Sequence, residues 1–420
     1  MLRPADWLVA ATCSLLCVVT FCGVSAATPI TLQEAIARAL RIAPALQSAA
    51  AQEELNKGRV EEALAPLLPS ISGNGEYYQP SGYDKTISNG GLTQAQLALT
   101  YTAFDGGRRL AQLRAARYSA QAAAFGLKAA QAQIIFDTSV AYFDLLRQTE
   151  TERELSSSLI RLSKYVQIIE TLQRNGRAIA NDVLTLRVTR DATELSLANT
   201  RQAREQASLL LGSMIGDFGN PNLTVTESTI LAPPQGDDIS QNPAYQAAVR
   251  QLRAAQLGVQ AARAERYPNL NLALTTGWQG VYPPKTFGHH FGASYDGLVS
   301  VPIFQGGLVR SHIDQALATE HAAAAQQRQV ELQVRHDLAA SRLRYQSALE
   351  ELAILRRSQK RATDSFALFW TRFLGGGSAT MLEVTNAYQQ AENLRLMRFE
   401  QEFNARAAAA QVRLLLGLSQ

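Results

Sequence analysis

The sequence predicts a mixed α and transmembrane-β fold. Long α-helical rods build a coiled-coil barrel, four membrane β-strands per chain extend it, and the whole is written as two tandem structural repeats. Three observations predict this. The first is an internal duplication offset by about 200 residues. Pro44 and Pro243, Leu68-Pro69-Ser70-Ile71 and Tyr267-Pro268-Asn269-Leu270, Phe104-Asp105-Gly106-Gly107 and Phe304-Gln305-Gly306-Gly307, and Leu209-Leu210-Leu211-Gly212 and Leu414-Leu415-Leu416-Gly417 recur in the same order. The second is period-two alternation of apolar and polar residues in the middle of each half, the mark of a strand with one apolar and one polar face. The third is a heptad seam, Leu155, Leu159, Leu162, Val166, Ile169, matched in the second half by Leu355, Gln359, Ala362, Phe366, Phe369, Phe373.

Composition bounds the rest. Of the 420 residues, 46% are hydrophobic, enough for a large core and too many for a disordered chain. The net charge of +4 is too small for a nucleic-acid partner. Cys13, Cys17 and Cys22 are the only cysteines, so a cysteine-ligated metal, a disulfide framework and a cysteine nucleophile are excluded from the body. Residues 1–26 read as a signal peptide: a mostly apolar run from Leu8 to Phe21 ends in the small residues Val24-Ser25-Ala26-Ala27, which suit cleavage after Ala26. A lipoprotein signal ending at Cys22 is the alternative, and bulky Phe21 counts against it. No other stretch reaches the roughly 18 apolar residues of a membrane-spanning helix. An exported chain of this kind enters a membrane only as β-strands.

The mature chain, 27–420, reads as one domain of two repeats, 27–218 and 240–420, joined by a Gly/Pro-rich linker over 219–239. Each repeat opens with a helix, Leu32 to Leu64 or Pro243 to Arg266, with Thr31 as N-cap and Glu34 completing a capping box. Pro66, Pro69 and Pro268 end these helices. Strands follow at about 70–79, 92–104, 269–280 and 290–304, with hairpin loops over Pro80 to Gly91 and Val281 to His289. Tyr77, Tyr78, Tyr101, Trp278, Tyr282, Phe291 and Tyr295 are candidates for aromatic girdles at the membrane surfaces. A rod then starts at each Gly-Gly pair and runs from Arg108 to Arg174 and from Leu308 to Phe373. At 1.5 Å per residue each is about 100 Å long. Turns over 175–182 and 375–383 reverse the chain into helices Val183 to Leu211 and Leu382 to Leu416.

Four strands cannot close a barrel, and open sheet edges cannot lie in lipid, so the chain must oligomerise. At this point the sequence resembles the TolC-like outer membrane factor family across the whole mature chain. The carriers are Thr31-Leu32-Gln33-Glu34-Ala35-Ile36, the two Phe-x-Gly-Gly junctions, the two Leu-Leu-Leu-Gly ends and the paired turns. The resemblance implies a homotrimer with a twelve-stranded barrel in outer-membrane lipid and a long periplasmic tunnel closed at its tip. It also implies docking onto a periplasmic adaptor (membrane fusion protein) and an inner-membrane transporter, as in tripartite efflux and type I secretion.

The resemblance points to Asp182 and Glu383, each six residues after a glycine (Gly176, Gly377), as acids lining a gated tip, with Arg174 and Arg177 as candidate partners. Six carboxylates around a narrow mouth would favour cations. The alternative role is helix capping through the macrodipole. The second turn, Gly-Gly-Gly-Ser-Ala, carries no arginine, so its lock must be built differently from an arginine latch. Phe104, Gly106, Gly107, Phe304, Gly306 and Gly307 read as strand-to-helix junctions, glycine for the bend and the aromatic for the membrane interface. His289-His290 lies in an expected loop without neighbouring ligands, and no catalytic or cofactor motif occurs, so no enzyme activity, metal or cofactor is expected. The function expected is an outer-membrane exit duct. The rivals are a soluble periplasmic coiled-coil scaffold, which leaves the strands unexplained, and an envelope enzyme, which lacks a site.

Overall fold

Helix α1 (Leu32–Ile42) begins where the Thr31 hydroxyl accepts the Glu34 N–H at 3.3 Å. The computed structural model describes residues 29–79, 81–82, 91–226, 229, 232–282 and 290–418. The expected signal peptide and most of both hairpin loops, His289 included, lie outside the described residues. The first helix does not run unbroken from Leu32 to Leu64. Ala43 turns extended (φ −58°, ψ 117°) and α2 (Pro44–Leu64) restarts at Pro44. A residue before proline is pushed out of the helical region, and proline is at home as a first helical residue.

Strands β1 (Ser70–Tyr78) and β2 (Gly91–Phe104) form an antiparallel hairpin, as do β3 (Asn269–Tyr282) and β4 (His290–Ser300). The order β1-β2-β3-β4 joins the two hairpins into one sheet, with β2 paired to β3. Residues directly opposite share a face. One row reads Ile71, Leu99, Leu274, Tyr295, and two rows on lie Ala95, Trp278, Phe291. The other face carries Asn74, Gln96, Thr100, Thr275 and Ser294. Tyr78 falls on this polar side, so it is no member of an outward girdle. A bulge between Thr102 and Phe104 sets Phe104 opposite Leu270, returning the aromatic to the apolar row. His290 starts β4, at the strand's expected beginning. β4 stops at Ser300, short of the expected 304, because Pro302 cannot donate to a ladder.

Helices α3 (Arg108–Arg174) and α6 (Leu308–Leu374) are the rods, 67 residues each. Their returning partners are α4 (Ala180–Ile215) and α7 (Met381–Leu415). On the strand side α3 packs between α2 and α5 (Pro243–Ala264), and α5 bridges to α6. On the far side α3 packs on α4 and α6 on α7, and α3 also contacts α7. The seam of α3 buries Leu155, Ser158, Leu162, Val166 and Ile169, so Ser158 takes the place expected for Leu159. The segment expected as a linker is anchored at both ends. Ile30 and Val225 form a parallel bridge, and Leu223 and Ile239 are buried. The Tyr142 hydroxyl lies 2.8 Å from the Thr226 carbonyl and 3.0 Å from that of Ile30, tying α3 to this strap. No helix among the described residues is long and apolar enough to cross a membrane.

Candidate functional site

Each rod ends in a glycine that only a left-handed backbone can place. Gly176 (φ 70°) ends α3 and Gly376 (φ 74°) ends α6. Gly377, the residue expected to make the second turn, is not left-handed. Its N–H donates to the Arg372 carbonyl at 2.9 Å, as the Arg177 N–H does to Leu172 at 2.8 Å. This is the Schellman pattern, and it satisfies carbonyls left over at a helix end. A Cβ on Gly377 would stand 3.0 Å from that Arg372 oxygen, which is why glycine fits there. The left-handed glycine therefore precedes Asp182 by six residues but Glu383 by seven, so the second turn is one residue longer.

Both acids open the returning helices. Asp182 accepts the Ile179 N–H at 3.0 Å. Glu383 accepts the N–H and hydroxyl of Thr380 at 2.8 and 3.0 Å, and the Thr380 hydroxyl accepts the Glu383 N–H at 3.3 Å, a full capping box. The bonds from Thr380 hold the Glu383 carboxyl below its ordinary value. Neither arginine pairs with these acids among the described residues of one protomer, contrary to expectation. Arg174 lies back along its own helix toward the Glu170 carbonyl and the Thr171 hydroxyl. Arg177 crosses to the Leu374 carbonyl at 3.1 Å, a cation on the negative end of α6. It thus links the two turns.

Behind the turns, an aromatic cluster joins the two helix pairs. Tyr165 of α3 meets Trp370 and Phe366 of α6 at centroid distances of 4.5 and 5.6 Å, and Phe366 meets Tyr388 of α7 at 5.2 Å. Further along, Arg161 and Arg395 both bind Glu154 and Glu392, at 2.7–3.0 Å. The Tyr388 hydroxyl lies 2.5 Å from the Ser158 hydroxyl. Burial pushes Glu392 upward more strongly than its two arginines pull it down. This charged seam between α3 and α7 has no sequence signal, because its members lie some 230 residues apart.

The two junctions differ. At the first, Asp105 accepts the N–H groups of Gly107 and Arg109 and the Arg109 Nε–H, at 2.9–3.1 Å. Arg109 also donates to the Pro66 and Thr102 carbonyls at 2.5 Å, locking helix, turn and strand together. Burial pushes Asp105 up, but the bonds from Arg109 and Gly107 outweigh it and leave it low. Gln305 stands in the equivalent place at the second junction, so no such latch forms. Gly106, Gly107, Gly306 and Gly307 all have left-handed backbones, and Phe104 and Phe304 are exposed.

A two-faced sheet feeding two long rods, each closed by a capped turn, defines a channel-tunnel of the outer membrane. The chain belongs to the outer membrane efflux protein family, whose model matches residues 35–217 and 237–418. It is 27% identical to the outer membrane protein TolC of Escherichia coli K12 over 304 residues, 65% of this chain and 59% of TolC. It is 24% identical to the pyoverdine export outer membrane protein OpmQ of Pseudomonas aeruginosa over 396 residues, 88% of this chain and 82% of OpmQ. The fold matches the crystal structure of the outer membrane protein VceC from Vibrio cholerae with a TM-score of 0.81 at 20% identity, covering 92% of this chain and 96% of VceC. Membership places the protein in the outer membrane.

Proposed function

We propose that the chain is the exit duct of a tripartite efflux or secretion system, passive and not an enzyme, and gated at its periplasmic tip. It matures by loss of residues 1–26, and its two structural repeats assemble as a homotrimer with a twelve-stranded barrel. The observation that carries this is the sheet, apolar on one face and polar on the other, with β1 and β4 left as open edges. Edge-to-edge pairing of three copies closes it, with the apolar rows toward lipid and Asn74, Gln96 and Ser294 toward water. The rods then stand side by side as a tunnel wall. At the tip, Ile179, Leu184 and Leu382 are 65%, 56% and 62% exposed, an apolar rim suited to a periplasmic adaptor that bridges to an inner-membrane transporter. Asp182 and Glu383 from three copies ring the mouth while capping their own helices, and Arg177 holds the two turns of each copy together.

Heat-modifiable, detergent-dependent trimers in the outer-membrane fraction are the expected result. Recovery from the soluble periplasm would instead support a coiled-coil scaffold. The absence of cysteine beyond Cys22 allows a single Ala379→Cys probe in the second turn. Crosslinking in intact cells should capture an adaptor, and its pump class reads out the cargo class. Capture of none, with folded trimers present, would overturn the docking model.

A further inference from the structure

Among the described residues two arginines are more than nine-tenths buried, and their surroundings are opposite. Arg109 is 9% exposed and spends its guanidinium on Asp105, Pro66 and Thr102. Arg406, on α7, is 7% exposed and has neither an ion pair nor a hydrogen bond among the described residues. Its Nε is sealed from solvent without a partner. Buried charges in folded proteins are ordinarily paired, because an uncompensated one forfeits its hydration.

Arg406 lines a cavity of about 490 Å³ between α1, the middle of α3 and the end of α7. Ile36, Leu40, Phe136 and Leu414 supply apolar walls. Among the described residues the remaining polar lining is Gln33, Ser139, Thr229 and Arg413, none of them a carboxylate. Ser139 is already engaged with the Ile135 carbonyl at 2.6 Å, and Arg413 reaches toward the Ala232 carbonyl at 3.5 Å. An apolar cavity of this volume with a few polar groups at one place has the form of a small-molecule site. The charged side chains of this described lining, Arg406 and Arg413, are both cationic, which suits an anion with a hydrocarbon body.

We propose that this cavity binds an amphiphilic monocarboxylate of the fatty-acid class. The carboxylate sits on Arg406 in the charge-assisted, forked geometry that guanidinium favours. The chain lies against Ile36, Leu40 and Phe136. The site lies away from both the tip turns and the strands.

The test uses the full-length protein in outer-membrane vesicles and a dodecanoic acid carrying a photoreactive diazirine, with labelled peptides mapped by mass spectrometry. Peptides around Ile36 and Ala410 should be labelled, and laurate should compete where dodecanol does not. Arg406→Gln should cut that labelling about tenfold at sub-saturating probe and leave labelling of the lipid-facing strands unchanged. Ala37→Trp, at an exposed position on the cavity rim, should block it without touching the arginine. Strand labelling without cavity labelling would overturn the proposal. So would equal competition by dodecanol, or unchanged labelling in either variant. If Arg406→Gln does not assemble, the alcohol competition and the tryptophan variant still decide.

Discussion

Gly106 and Gly306 have the same left-handed backbone, φ 67° and 59°, in different surroundings. A Cβ on Gly106 would lie 2.7 Å from the Tyr267 Cβ, whereas on Gly306 it would meet nothing within 4 Å. Left-handed strain alone costs an alanine roughly 1–2 kcal/mol at either site. Gly106→Ala should therefore lower the melting temperature clearly more than Gly306→Ala, and equal losses would show that Tyr267 yields freely. For the tip acids, Asp182→Ala combined with Glu383→Ala should raise single-channel conductance and weaken block by divalent cations. Unchanged conductance and block would leave only their capping role. The pH dependence of Glu383 has a definite sign. Its carboxyl is held below the ordinary value of 4.5, so its contribution is complete above that pH and is lost as pH falls through the lowered value. Acid should thus loosen the second turn, and Thr380→Ala, which removes the hydroxyl donor, should move that loosening to higher pH. The glycine pairs were legible because a positive φ after a strand admits little else. The partners of Arg174 and Arg177 were not. Two side chains of one type, three residues apart, are aimed differently by the turn between them, one back along α3 and one across to α6.

At the scale of elements, the seam between α3 and α7 carries the join between the two helix pairs. Ser158 is 1% exposed and its hydroxyl is matched to Tyr388. Tyr388→Phe leaves that buried hydroxyl short of a side-chain partner, a loss of about 1–3 kcal/mol. Calorimetry should show it as a lower melting temperature, while Tyr118→Phe, on α3 away from the seam, should be silent. An unchanged melting temperature in Tyr388→Phe would mean that the aromatic cluster alone holds the helix pairs together. The seam explains why the heptad reading slips by one residue: Ser158 is buried in order to face a tyrosine from the second half, and a rule that searches for leucine selects Leu159 instead. Proline decides two other boundaries. Pro44 was visible and breaks the first helix because Ala43 must turn extended before it, and Pro302 stops β4. The long rods were the most legible elements, since 67 residues without proline or a helix-ending glycine have few other ways to bury a heptad stripe.

The whole molecule is legible chiefly in what one chain leaves unburied. On α6, Leu332, Leu343 and Ile354 are 61%, 64% and 53% exposed. They recur every eleven residues, and a repeat near 3.67 residues per turn keeps them on one side of a nearly straight helix. On α4, Val188 and Leu195 are exposed one heptad apart, a second stripe. A monomer has no use for either, and both run parallel to the rod axis, as side-by-side packing in a tunnel wall requires. The stripes and the open edges of β1 and β4 belong to the same inference, one in water and one in lipid. They separate by mutation, because the strand edges pair through backbone and the rods pack through side chains. Leu332→Glu with Leu343→Glu and Ile354→Glu places three carboxylates in the expected rod interface and leaves the sheet untouched. Each such burial is unfavourable without a partner. The triple variant should lose heat-stable trimers on gels while circular dichroism of the extracted chain stays helical. Leu349→Glu, exposed on the same rod but roughly 120° around the helix from that row, should keep them. Trimers of ordinary stability in the triple variant would mean that this stripe faces water or lipid rather than a second copy, and the order of rods around the tunnel would have to be rebuilt from the α4 stripe instead.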